Sequence, residues 1–163
     1  MTKNKTTTEA KTEKKGIDLN ELLRLADEER KMKHPPVDVE VLLSGRIMTV
    51  RMPHLSANEF DEFTLPYCPH PAYRDQLGCW FELENVTRNH PGVVLVDGDV
   101  EDDLYVIGGT RREKEAVYRW GEIYDSLRHE DKQNLQAAVW GVYVHEAQKK
   151  MAAAKAAAAK AAK

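Results

Sequence analysis

Apolar side chains recur along this chain with two different periods, and the switches between them predict its elements. From Leu19 the spacing is helical, through Leu22, Leu23 and Ala26, with Asp18 ahead of it and Glu21 three residues later in the arrangement that caps a helix start. His34-Pro35-Pro36 ends that helix, because proline lacks the N–H donor and turns the residue before it away from helical dihedrals. The period then drops to two. Val37, Val39 and Val41 alternate with Asp38, Glu40 and Leu42, a Ser44-Gly45 turn follows, and Ile47, Thr49 and Arg51 alternate with Met48, Val50 and Met52. That pattern predicts a β-hairpin over 37–52. Pro53 stops the second strand, and Ser56 with Glu59 predicts a capped short helix running to Phe63.

The middle of the chain is less regular. LPYCPHPAYRDQLG carries three prolines and predicts an irregular connection of the kind that often bears function. WFELENVTRNH fits a helical turn through Trp80, Leu83 and Val86 and equally a strand through Phe81 and Leu83, with Pro91-Gly92 closing either. Val93 to Val96 predicts a short strand, Asp97-Gly98 a turn and Leu104 to Ile107 a further strand. In the last third, Thr110 with Glu113, then Val117, Trp120, Tyr124 and Leu127 at steps of three and four, predict one helix. Arg128 to Asp131 interrupt it, and Leu135, Val139 and Val142 predict a second helix from about Lys132. MAAAKAAAAKAAK prolongs that helix, since Ala and Lys are strong helix formers, although lysines without acidic partners favour fraying.

These elements predict an α+β fold, a small antiparallel sheet with a C-terminal pair of helices. Residues 1–16 read as a disordered basic tail, because almost nothing apolar is present to offset the entropy of ordering them. Residues 17–147 read as a single α+β domain and 148–163 as an Ala/Lys-rich helical extension. A length of 163 residues with 42% hydrophobic and 31% charged side chains suits one modest core and excludes two large domains. No apolar run approaches the roughly 20 residues that cross a bilayer, and the first residues lack the hydrophobic segment of a secretory signal, so a cytosolic protein is expected. The net charge of −3 hides an asymmetry. Residues 16–148 hold 14 of the 24 basic and 25 of the 27 acidic side chains, a net of −11 between two lysine-rich ends. A folded body of that sign argues against a specific nucleic-acid reader, which needs a basic face to displace counterions from phosphates.

Candidate chemistry is sparse. Cys68, His70, Cys79 and His90 are the one group of soft ligands near a single loop, but their spacing matches no common zinc pattern, and two cysteines read as reduced, partly buried thiols. Asp97, Asp99, Glu101, Asp102 and Asp103 lack the order of a calcium loop and read as an exposed turn. There is no G-x-S-x-G elbow, and Gly108-Gly109 with Arg111 and Arg112 reads as a strand-to-helix connection rather than an anion cradle. No catalytic, cofactor-binding or metal residue is assigned, and a non-enzymatic protein is expected. The aromatic residues Trp120, Tyr124, Trp140 and Tyr143 lie at spacings that bring each pair to one helix face, where core packing competes with a role in docking a partner.

The order of these segments resembles one family. A polar N-terminal tail, a short helix, the valine-rich hairpin VDVEVLLSGRIMTVRMP, a Pro-rich loop, WGEIYDSL and then VWGVYVHEAQKK before a Lys/Ala-rich end are similar to the tail assembly chaperones of long-tailed phages, especially those of actinobacteria. The resemblance spans roughly residues 35–150 and rests on Leu43 to Met52, Gly78 to Pro91, Val96-Asp97-Gly98, Trp120, Ile123, Tyr124, Leu127 and Val139 to Glu146. It implies a chaperone without enzymatic activity that binds the tape measure protein, keeps its long helices soluble and assists assembly of the tail tube protein. It implies residence in the host cytoplasm, absence from the mature virion, and a longer form made by programmed frameshifting, for which Lys149-Lys150 is a candidate position. Trp120, Tyr124, Trp140 and Tyr143 are the expected contact or homo-oligomer surface. The alternative is a structural virion component, a head-tail connector or minor tail protein, and neither reading calls for a membrane or a specific nucleic acid.

Overall fold

The computed structural model describes residues 16–69, 80–107 and 116–162, and the chain divides into two units, Met1–Lys33 and His34–Lys163. The tail expected over 1–16 lies, apart from Gly16, outside the described residues. In the first unit, α1 (Leu19–Lys31) begins where the sequence placed it, with the Asp18 carboxylate accepting the Asn20 N–H at 3.0 Å. Glu21 takes no part in that cap and pairs instead with Arg24. None of the residues of α1 is buried.

In the second unit, β1 (Val37–Leu43), β2 (Arg46–Met52), β3 (Val94–Asp97) and β4 (Val100–Asp102) form a sheet in which each strand pairs antiparallel with the next. The hairpin turn holds Ser44 at φ 50° and Gly45 at φ 76°, the pair of left-handed dihedrals that a tight two-residue turn between twisted strands requires. Register sets Val39 opposite Val50 and Val50 opposite Leu95, so one sheet face is apolar, with Val41, Val50 and Met52 buried. Arg51 stands on the other face between Asp38 and Glu101, each at 2.9 Å. Between β2 and β3 the chain forms α2 (Ala57–Thr64), a 3₁₀ turn (Leu65–Tyr67) and α3 (Leu83–Arg88). The Ser56 and Glu59 side chains cap α2 reciprocally, and the ambiguous 80–90 stretch resolves as helix.

Beyond β4 the structure departs from the sequence reading. β5 (Tyr105–Ile107) pairs with β6 (Ala116–Tyr118) in a separate two-stranded sheet, so the helix expected from Thr110 through Leu127 is confined to α4 (Trp120–Asp125). Thr110 and Glu113 lie outside the described residues. Tertiary bonding overrides the helical period here: the Tyr118 hydroxyl donates to His90 O at 2.6 Å and accepts the Val93 N–H at 2.9 Å, while Arg119 N–H reaches Leu104 O at 2.9 Å. Leu104, where the chain passes from one sheet to the other, adopts φ 64°. That left-handed conformation costs a non-glycine residue roughly 1–2 kcal/mol, which burial of the leucine side chain offsets.

The C-terminal helix is longer and starts earlier than its pattern suggests. α5 (His129–Trp140), a π-helical segment (Gly141–His145) and α6 (Glu146–Ala161) follow one another without a break. Asp131, Leu135 and Val139 are buried at steps of four, and Val144 follows at a step of five, which the wider π turn accommodates. Residues 128–131, which the sequence reads as an interruption, form the helix start, where Asp131 is 3% exposed and accepts both the Leu42 N–H at 3.2 Å and Arg128 Nε at 3.0 Å. Leu42 belongs to β1, an edge strand, so α5 both packs on that edge and satisfies one of its donors. Asp131→Ala is expected to lower unfolding free energy by about 1–3 kcal/mol in urea titrations, with Asp131→Asn costing less because its amide oxygen still accepts the Leu42 N–H.

Candidate functional site

The four aromatic residues singled out from the sequence do not lie on one surface. Trp120 and Tyr124 are 0% and 1% exposed and belong to the core. The Trp120 indole N–H donates to Thr87 O at 3.0 Å, tying α4 to α3, and the Tyr124 hydroxyl accepts from Gln136 Nε2 at 2.9 Å. Tyr143 is half-buried and stacks on Phe60 with ring centres 3.7 Å apart and planes 8° from parallel. Trp140, also half-buried, stacks on His145 across the π segment. Of the four, Trp140 and Tyr143 retain surface, and Tyr143 is largely committed to its own chain.

That commitment centres on His90, which is 1% exposed. Its Nδ1 lies 3.0 Å from Pro91 O, an atom that only accepts, so Nδ1 carries the proton and Nε2 accepts from the Tyr143 hydroxyl at 3.2 Å. The same hydroxyl accepts the Leu55 N–H at 3.0 Å. Burial lowers the His90 pKa to about 4 and pushes the Tyr143 phenol up to about 12, so both groups are neutral in the bonded arrangement. His90 therefore serves packing, which separates it from the soft-ligand group. The Cys68 thiol donates to Thr64 O at 3.7 Å, and His70 and Cys79 lie outside the described residues. Among the described residues no three His, Cys, Asp or Glu side chains converge as metal ligands.

The acidic run is likewise occupied with structure. Asp97 pairs with Arg46 and Glu101 with Arg51, while Asp102 and Asp103 accept the N–H groups of Leu104 and Tyr105 at 2.8 and 3.3 Å. The Gly108 to Arg112 connection lies outside the described residues.

Exposed apolar side chains include a run on α1. Leu19, Leu22 and Leu23 are 66%, 47% and 58% exposed, and Ala26 continues their stripe one turn further on. The opposite face is polar and self-paired: Arg24 bridges Glu21 and Glu28, and Lys31 meets Asp27 at 2.6 Å. The Arg24 guanidinium holds the Glu21 carboxyl below its ordinary pKa. Such pairs contribute a few tenths of a kcal/mol each, which helps a 13-residue helix that buries none of its residues. The sequence reading found this stripe at helical spacing, and it is short: the next positions on the face are Glu29 and Arg30, and two prolines follow.

No protein-family model, curated protein or solved structure matches the chain. Among the described residues no helix is long and apolar enough to cross a membrane.

The His90 environment has a pH signature. A pKa lowered from 6.5 to about 4 means that the folded state takes up a proton less readily than the unfolded chain. Its contribution is complete above pH 6.5 and is lost as pH falls toward 4, by about 2 kcal/mol at pH 5. Urea midpoints measured between pH 7 and 5 should fall accordingly in the native chain, and His90→Gln, though less stable at pH 7, should give a flatter profile.

Proposed function

We propose that this chain is a tail assembly chaperone of a long-tailed phage, a non-enzymatic protein that holds the tape measure protein soluble while the tail tube protein assembles around it. The observation that carries the reading is a run of exposed apolar residues on one helix. Ile17, Leu19, Leu22, Leu23, Leu25 and Met32 are all exposed within 16 residues of α1 and its flanks, and no residue of α1 is buried. A chaperone for long apolar helices needs apolar surface that its own fold leaves open, and an acidic body that keeps loaded chains apart in solution. The order of helix, valine-rich hairpin, Pro-rich loop and the WGEIYDSL and VWGVYVHEAQKK segments supports the finer identity. On this reading the protein acts in the host cytoplasm and leaves before the virion matures, and a frameshifted longer form shares its body.

The test is co-expression with the longest helical reading frame near its gene. The tape measure protein should become soluble and co-purify with this chain, and purified particles should lack the chain by mass spectrometry. A fixed copy number in particles together with no co-purification would assign it instead to the virion as a connector or minor tail protein.

A further inference from the structure

We propose that the stacked rings of His34 and His54 form an acid-opened clasp. While neutral they pin the 34–36 entry into β1 to the connection behind β2, and once both are charged they part and release that entry without unfolding the sheet. The clasp lies wholly within the second unit and does not depend on the identity of any partner.

The entry segment has no hydrogen-bonded tie of its own. Pro35 and Pro36 lack an N–H, no hydrogen bond joins His34, Pro35 or Pro36 to the described residues, and strand pairing starts only at Val37 opposite Met52. What holds the segment is a ring contact. The half-buried His34 imidazole lies on that of His54, with ring centres 4.3 Å apart and planes 25° from parallel, and His54 in turn meets Tyr143 edge to face at 5.3 Å. Tyr143 is fixed by Phe60, by the Leu55 N–H and by His90, so His54 rests on an anchored ring and His34 is the half that can leave. Parting the two imidazoles frees residues 34–36 and breaks no strand pair.

The surrounding charges decide what a proton does there. His34 on the entry segment and Lys150 on α6 act on His54, His90 lies on the far side of Tyr143, and no carboxylate among the described residues forms an ion pair with either clasp ring. Glu59 of α2 acts on Tyr143, but its carboxylate accepts the Ser56 N–H in the helix cap. Burial first, then His34 and Lys150, hold the His54 pKa below 6.5. The neutral form is therefore the one that folding favours, and the closed clasp contributes fully above pH 6.5 and less as pH falls. Charging both rings sets two imidazolium ions face to face at 4.3 Å beside an ammonium, a repulsion that separation relieves. His90, 1% exposed and lowered to about 4, resists its proton longer than the half-buried His54, so the clasp opens first.

The test is NMR of the isotope-labelled full chain in a series from pH 7.5 to 5. Nuclear Overhauser contacts between the His34 and His54 rings should be present at pH 7.5 and lost in step with the protonation shift of the His54 Cε1–H signal, while the methyl signals of Val50 and Val86 in the core persist. His34→Phe keeps a ring but removes one charge, and its ring contact with His54 should survive to pH 5, because a charged imidazole over a phenyl face is attracted to it. Lys150→Glu, at an exposed helix position, should raise the His54 midpoint and keep the two imidazoles in contact to lower pH. Absence of the ring contacts at pH 7.5, or their persistence in the native chain after both imidazoles are protonated, would overturn the proposal. Loss of the Val50 and Val86 signals together with the ring contacts would overturn it too, since the change is then unfolding of the body. So would a His34→Phe chain that opens at the same pH as the native one, or a His54 midpoint that Lys150→Glu leaves unmoved.

Discussion

The second unit closes around a single irregularity in its last long helix. An α-helix that buries Asp131, Leu135 and Val139 at steps of four would turn Val144 away from that face, and the π segment over Gly141–His145 absorbs the extra residue. With Val144 at 4% exposure, its neighbour Tyr143 reaches the 53–55 connection, lies flat on Phe60 and meets His90. One phenol thus joins the C-terminal helix to the end of β2, to α2 and to the residues leading into β3. His90 passes the constraint on, because its carbonyl takes the Tyr118 hydroxyl that also receives the Val93 N–H. The two-stranded sheet is fastened to the four-stranded one through this relay and through Leu104.

Charge is handled in two ways that follow from solvent exposure. On the surface, Arg46, Arg51 and Arg88 sit opposite Asp97, Asp38 with Glu101, and Asp125, pairs whose individual worth in water is small. They hold strands and helices in register on a body with far more carboxylates than cations. Inside, where an unpaired polar group is expensive, no buried side-chain nitrogen or oxygen among the described residues lacks a partner. Asp131 stays ionised there because Arg128 and the Leu42 N–H both lower its pKa, so the charge that could have disrupted the helix start instead anchors it.

How far the sequence could be read depended on whether a signal was local. The hairpin over 37–52, its Ser44-Gly45 turn and the Ser56–Glu59 cap are decided by neighbours within a few residues, and each appears in the structure with the expected partners. β4 was missed because Val100, Glu101 and Asp102 have no apolar alternation, and the strand exists through pairing with β3. The helix expected through Val117 failed for the opposite reason, since a fair 3.6-residue period was overruled by pairing with β5 and by the Tyr118 clamp. For the candidate site, aromatic spacing identified helix faces but could not say whether a face looks inward, and Trp120 and Tyr124 do. The leucines of α1 were legible as a stripe. That they are exposed was not, because burial depends on the rest of the fold.

The distribution of apolar residues sets α1 apart from the core. The core of the second unit has its large side chains in place, Trp120, Tyr124, Phe81 and Leu135 each at 1% exposure or less, and none of the buried residues comes from α1. α1 exposes leucines that an ordinary surface helix would bury, and the shortness of the stripe keeps the exposed apolar area near the range that monomeric proteins tolerate. Ion pairs within α1 supply local helix stability without adding tertiary contacts. The proline pair after α1 ends that helix before β1 begins, since proline supplies no N–H for a further helical turn and its ring fixes the backbone away from continuing it.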